Sequence, residues 1–172
     1  MKRVLVSVAS VLVAVIIIVV ALIFLRAWRI PFFQVEVLGI SHSAVHWIGW
    51  IGTLYIAFAT PLYPIIKRKY SNLIEKTLSI HVTGNLLGVL FVSIHFAHQV
   101  TRPLSSYPDL GTGIVLYVAM IMLSATGLAI VSGIGRKFLK QIRFLHPAFA
   151  VTFYTVIIMH ILEDLIISSI FT

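Results

Sequence analysis

The chain has 172 residues, of which 60% are hydrophobic and 10% are charged, which excludes an ordinary soluble globular domain, where roughly a quarter of the residues carry charge. The formal net charge is +8, but the basic residues form short clusters between apolar stretches, and this excludes a nucleic-acid-binding module. The sequence contains no cysteine, which excludes disulfides, iron–sulfur clusters and thiolate-ligated or covalently attached heme.

Five apolar stretches are each long enough to cross a bilayer, which takes about 20 helical residues. They cover residues 4–25, 37–66, 77–101, 110–135 and 144–162. Because lipid cannot satisfy backbone polar groups, we predict an all-α integral membrane bundle of five transmembrane helices without strands. Residues 1–30 are predicted to form a retained anchor helix, and residues 31–172 a four-helix core. Pro147 is expected in the first turn of the fifth helix.

The positions of the basic residues predict how the chain is oriented. Two of the loops between apolar spans carry most of the positive charge: Lys67, Arg68, Lys69 and Lys76 in one, and Arg136, Lys137, Lys140 and Arg143 in the other. Under the positive-inside rule both loops and the N-terminus face the cytoplasm, and the C-terminus lies outside. The sequence therefore predicts a multi-pass protein of the cell membrane in contact with the lipid bilayer, with residues 26–43 along the outer interface.

Seven histidines lie inside or at the ends of the apolar spans: His42, His46, His81, His95, His98, His146 and His160. Ionisable side chains at membrane depth are costly and indicate function. On the third span and again on the fifth, two histidines are fourteen residues apart. Seven histidines scattered at random would give roughly 0.2 pairs at any chosen interval.

The fourteen-residue interval places two imidazoles on one helical face, within about 40° of each other and about 21 Å apart along the axis. The third and fifth helices run parallel, so His81 is expected level with His146, and His95 level with His160. Two facing imidazoles can fill both axial positions of a heme iron. We therefore predict two b-type hemes stacked across the membrane, with these four histidines as metal ligands.

Three residues between the paired histidines are predicted to contact the hemes. Gly84 and Gly88 leave room for a flat macrocycle, and Phe153 is expected to pack between the two porphyrins. The alternative for the glycines is close packing of small residues between helices. The alternative for Phe153 is an ordinary core or lipid-facing position.

Cationic residues near the helix ends are predicted to neutralise the heme propionates. Lys76 and Arg143 serve the cytoplasmic side in this prediction, and Arg102 and His98 the outer side. Near the same outer surface, three histidines and two carboxylates form an alternative site for a transition metal or a substrate: His42, His46, His98, Glu163 and Asp164. Hydrogen bonding to headgroups, propionates or a partner is the other interpretation of these histidines.

The motifs HVTG at 81–84 and SIH at 93–95, with IRFLH at 142–146 and MH at 159–160, resemble the di-heme core of ferric reductase-like transmembrane proteins and respiratory cytochromes b. The resemblance covers residues 42–168 and implies electron transport as an iron-containing oxidoreductase subunit. In the ferric reductase-like family the histidines also lie on the third and fifth helices. The sequence has no sixth span and no flavin or nicotinamide domain, so we expect an electron-donating redox subunit or soluble electron carrier as partner rather than a self-contained enzyme.

Bis-histidine ligation leaves no open position on iron, which favours electron transfer between the two membrane faces. One alternative is a quinone-oxidising or quinone-reducing subunit of a respiratory chain complex, with Ser41, His42, His98 or Glu163 near the quinone. An alternative from another class is a heme-free, histidine-lined metal transporter or structural membrane anchor. A heme-free metal transporter or a structural anchor would leave the repeated fourteen-residue interval without a specific purpose.

Overall fold

The structure, a computed structural model, describes residues 2–28, 30, 33–37, 40–103 and 111–170. In this part of the chain there are five long α-helices, each apolar and long enough to cross a membrane. They are α1 (Lys2–Phe24), α2 (Ala44–Lys69), α3 (Ile74–Val100), α4 (Gly111–Ser132) and α5 (Leu139–Ile170). The predicted all-α membrane fold is confirmed.

A short β-hairpin precedes α2, where the sequence predicted helix from residue 37 and no strands. Strands β1 (Gln34–Val37) and β2 (Ile40–Ser43) pair antiparallel, with Val35 opposite His42. The indole Nε1 of Trp47 donates to the carbonyl oxygen of Val35 at 2.9 Å and ties the hairpin to the first turn of α2. The Ser43 hydroxyl then accepts from the backbone N–H of His46, so α2 begins at Ala44 with a side-chain cap.

Helix α5 begins eight residues before Pro147, so the predicted first-turn position of this proline is wrong. Gly133 and Gly135 have φ values of 78° and 70°, and a 3-10 turn at Arg136–Phe138 follows them. Glycine adopts this left-handed backbone without steric cost, and the chain reverses at once into α5. Pro147 lies inside α5, where it has no N–H to donate to the carbonyl oxygen of Arg143.

The chain divides into two compact units, Met1–Pro108 and Asp109–Thr172. In the first unit α1 packs against α3. Leu5, Ala9, Ile16 and Ile23 are buried along one face of α1. Helix α1 is thus part of the packing of the first unit, and the division into an anchor helix and a four-helix core stays a prediction.

Helices α2 and α3 form an antiparallel hairpin that closes through the 3-10 turn at Ser71–Leu73 and packs on glycines. A Cβ added at Gly52 would lie 2.7 Å from the carbonyl oxygen of Gly88, and one added at Gly88 would lie 2.8 Å from Cγ1 of Ile56. A Cβ at Gly84 would collide with the Tyr55 hydroxyl. Small residues thus allow the two backbones to approach closely, which stabilises helix pairs in membranes.

We expect Gly52→Ala to destabilise the first unit, because the added methyl meets the backbone of α3 and forces the helices apart. Overpacking of this kind costs on the order of 1–3 kcal/mol. The measurement is unfolding in detergent followed by circular dichroism. Gly113→Ala on α4 is the matched control, since its Cβ would meet its nearest neighbour at 3.5 Å. Equal stability of the two variants would contradict the packing described for Gly52.

Candidate histidine sites

The four predicted ligand histidines lie in pairs on one helix of each unit. His81 and His95 are on α3 in the first unit, and His146 and His160 are on α5 in the second, all half-buried. Each pair lies within a single helix, so its imidazoles are separated by about 21 Å along the axis. The neighbours that each ring contacts within its own unit decide what that ring can do.

In the second unit His146 faces α4 with its Nδ1 atom. Nδ1 lies 3.1 Å from the carbonyl oxygen of Leu123 and 3.1 Å from Oγ1 of Thr126. The Thr126 hydroxyl donates its proton to the carbonyl oxygens of Met122 and Leu123, at 2.8 and 2.9 Å. Both neighbours of His146 Nδ1 therefore act as hydrogen-bond acceptors.

His160 has a similar partner at the other end of α5. Its Nδ1 lies 3.0 Å from Oγ1 of Thr112, in the first turn of α4. The Thr112 hydroxyl in turn donates to Oε2 of Glu163 at 2.5 Å. A carboxylate can only accept a hydrogen bond, so the single hydroxyl proton is used on Glu163 and Thr112 accepts from His160.

These contacts determine the tautomer of both α5 histidines. A neutral imidazole carries one proton, and an acceptor at Nδ1 places it there. Nε2 of His146 and of His160 then carries the lone pair. Metal-bound histidines commonly have this arrangement, in which the second ring N–H donates to a carbonyl or another acceptor and orients the ring.

A Thr-Gly pair on α4 accompanies each histidine of α5, and the sequence analysis missed it. Thr112-Gly113 and Thr126-Gly127 are fourteen residues apart, the same interval as His160 and His146. A Cβ at Gly127 would lie 3.0 Å from Cε1 of His146, and one at Gly113 would lie 3.5 Å from Cε1 of His160. The threonine accepts a hydrogen bond from Nδ1, and the glycine allows the ring to lie close to the backbone of α4. The matching interval was the signal in the sequence that could have revealed these residues.

In the first unit His95 packs against a glycine of α2. A Cβ at Gly49 would lie 2.7 Å from Cγ of His95. The ring of His46 meets the ring of His95 edge-on, with centroids 5.2 Å apart. Trp50 Nε1 donates to Nε2 of His46 at 2.8 Å, which determines the His46 tautomer and the orientation of its ring.

The residue of α2 that packs on the His81 ring is an aromatic one, whereas the corresponding residue beside His95 is Gly49. The Tyr63 ring of α2 stacks on the His81 ring, with centroids 4.6 Å apart and planes inclined by 22°. The Asn85 amide lies 3.2 Å from His81 Nδ1, one turn further along α3. Tyr63 and Gly49 are themselves fourteen residues apart. Both pairs of histidines therefore have neighbours on the adjacent helix at their own spacing.

The three residues predicted to contact the hemes, Gly84, Gly88 and Phe153, pack against other residues within their own units. Gly84 and Gly88 face Tyr55 and Ile56 of α2, so close packing, the alternative interpretation, accounts for them. Phe153 is 1% exposed and is a core residue rather than a lipid-facing one. Roles of these three residues beside a macrocycle stay predictions.

The predicted propionate partners differ in their exposure. Lys76 is exposed in the first turn of α3 and Arg143 is exposed in the second turn of α5, and Arg102 is half-buried just beyond the end of α3. His98 is 5% exposed, so it is buried rather than presented at a surface. Contacts of these four residues with propionates stay predictions.

His42 and His46 form an aromatic cluster with the start of α2. Their ring centroids are 4.2 Å apart, and the Trp47 ring lies 5.9 Å from that of His42. Within the described ranges, no three histidine or carboxylate side chains are arranged to hold a metal ion. The alternative of a transition-metal site near the outer surface stays a prediction, and the side chain of Ser41, named for the quinone alternative, lies outside the described part.

No protein-family model, no curated protein and no solved structure matches this chain. The interpretation of the four histidines therefore depends on their spacing and on their contacts within each unit.

Proposed function

We propose that the protein is a membrane cytochrome b subunit that carries two b-type hemes and relays electrons across the bilayer. In this proposal His81 and His146 would hold one heme, and His95 and His160 would hold the other. The observation that supports it most strongly is the pair of acceptors at Nδ1 of His146 and His160, which leaves Nε2 of each ring as a ligand atom.

The residues beside the histidines suit this ligand role. Gly49, Gly113 and Gly127 each lie next to a histidine ring, so the ring packs against the adjacent helix at a position that carries no side chain. The Thr126 and Thr112 hydroxyls keep the α5 rings in one orientation. The bound heme would supply one-electron chemistry at its iron. The chain itself orients the two α5 imidazoles through the hydrogen bonds at Nδ1.

The orientation in the membrane is part of the proposal. The exposed basic residues lie at the α2–α3 connection, which is the His81 end of the first unit, and at the α4–α5 connection, which is the His146 end of the second. The positive-inside rule assigns both ends to the cytoplasm. His95 and His160 are then the ligands near the outer face, with the N-terminus inside and the C-terminus outside the cell membrane.

If two histidines held each heme, substrates would have no direct access to its iron, so the proposed task is electron relay rather than catalysis at the metal. The electron donor and acceptor are proposed to be a redox subunit or soluble carrier on one face and a redox protein or ferric iron on the other. Oxidoreductase activity belongs to that assembly.

Purified protein is expected to show two b-type hemes per chain in a pyridine hemochrome assay and in the reduced-minus-oxidised spectrum. His81→Ala and His146→Ala should each remove the same spectral component, and His95→Ala and His160→Ala the other, because each heme loses one of two ligands. His42→Ala is the matched control and should retain both. Absence of heme in the wild-type protein, or a common loss in His81→Ala and His160→Ala, would contradict the proposal.

The quinone alternative makes a different spectroscopic prediction. A simple conduit has no quinone site, so addition of a short-chain quinol analogue should leave the heme spectrum and its midpoint potentials unchanged when no partner is present. Rapid heme reduction that saturates with quinol concentration would favour the quinone-linked subunit. A colourless protein that moves metal ions into vesicles would favour the heme-free transporter.

Single cysteines test the orientation, because the natural chain has none. Lys69→Cys and Lys137→Cys are expected to react with an impermeant maleimide only after the cytoplasmic face is opened. Glu36→Cys, in β1, should react in intact cells. The reverse pattern would invert the proposed topology while leaving the heme ligands unaffected.

A further inference from the structure

The two histidines of α5 have hydrogen-bond partners of different charge. Nδ1 of His146 faces the neutral carbonyl oxygen of Leu123, and the Thr126 hydroxyl beside it donates back to its own helix. Nδ1 of His160 faces Thr112, whose hydroxyl donates to the Glu163 carboxylate. The fourteen-residue interval gives no reason to distinguish the two histidines, but their hydrogen-bond partners in the structure differ in charge.

We propose that Thr112 and Glu163 form a positioning relay that makes His160 the more electron-donating of the two α5 ligands and lowers the reduction potential of the heme that His160 binds. The inference rests on the proposed function. Thr112 and Glu163 act through His160 and do not touch the cofactor.

The direction of the effect follows from the order of the hydrogen bonds. When the Thr112 hydroxyl donates its proton to the Glu163 carboxylate, the negative charge on the hydroxyl oxygen of Thr112 increases. The hydrogen bond that this oxygen accepts from His160 is then stronger, because consecutive hydrogen bonds strengthen one another. The His160 Nδ1–H bond is then more strongly polarised, and Nε2 becomes more basic. A more basic axial ligand stabilises ferric iron relative to ferrous iron, which lowers the reduction potential.

The charge of Glu163 acts in the same direction. Glu163 is exposed, and its carboxylate is connected to the His160 ring through two hydrogen bonds of 2.5 and 3.0 Å. A negative charge at this position favours the more positive state of the iron. The difference between the two α5 sites thus favours electron transfer away from the His160 heme.

The test is an optical redox titration of the detergent-purified holoprotein, with the His160 component identified by its loss in His160→Ala. Thr112→Val and Glu163→Gln should raise the potential of this component and leave the other unchanged. We expect about a tenfold change in its reduced-to-oxidised ratio at fixed potential, equivalent to about 59 mV for one electron. Thr112→Ser keeps the hydroxyl and should keep the wild-type potential.

Thr155→Val is the matched control on α5. The Thr155 hydroxyl donates to the carbonyl oxygen of Val151 in its own helix and takes no part in the relay. Its removal should leave both potentials unchanged. A second readout is the low-spin ferric EPR spectrum, in which the g-values of the His160 heme should change in Thr112→Val and Glu163→Gln but not in Thr155→Val.

The outcomes separate the inference from the function on which it rests. Two hemes whose potentials and g-values are the same in the wild type, Thr112→Val and Glu163→Gln would overturn the relay and leave the electron-transfer proposal standing. A wild-type protein without heme would overturn both. If Thr112→Val fails to retain heme, Glu163→Gln alone decides, because it replaces the carboxylate by an amide of nearly the same shape.

Discussion

The hydrogen bond that each α5 histidine makes through Nδ1 is the contact on which the candidate sites depend. An imidazole within a bilayer has two nitrogens to satisfy and one proton to place, and the oxygens of Leu123 and Thr112 place it on Nδ1 in both rings. Without these oxygens the two tautomers would compete and the rings would turn more freely. With them, the same nitrogen of each ring carries the lone pair.

The repeated interval has a physical origin in helix packing. Fourteen residues are two heptads, and two helices that pack at a small angle return to the same contact face every seven residues. The neighbours of His81 and His95 on α2, Tyr63 and Gly49, accordingly follow the same interval. In the first unit Gly88 lies midway between the histidines, where an added Cβ would lie 2.8 Å from Cγ1 of Ile56 on α2. Close packing and histidine placement are thus parts of one helix contact.

Polar contacts between membrane helices also stabilise bundles that bind no cofactor. The ligation proposed for the α5 histidines uses the contacts described above: Nδ1 of each ring is bound by α4, Nε2 carries the lone pair, and a glycine lies beside the ring. Gly113 and Gly127 lie in the sequence directly after the threonines that bind Nδ1.

The sequence by itself determined the membrane class, the existence of five spans and the location of the histidine pairs, because these follow from hydropathy and from intervals within one helix. It did not determine where α2 and α5 begin, since the β-hairpin depends on pairing between Val35 and His42 and the early start of α5 depends on the reversal at Gly133 and Gly135.

Only the tertiary structure decided the partners of each histidine. Thr112, Thr126 and Gly49 belong to neighbouring helices, and their register against α5 or α3 is determined by connection geometry and by close packing. Glu163 lies one turn from His160 in the sequence, yet its connection to that ring passes through a threonine 51 residues away. Periodicity along one helix carries no information about such a contact, because the contact exists only when two helices pack together.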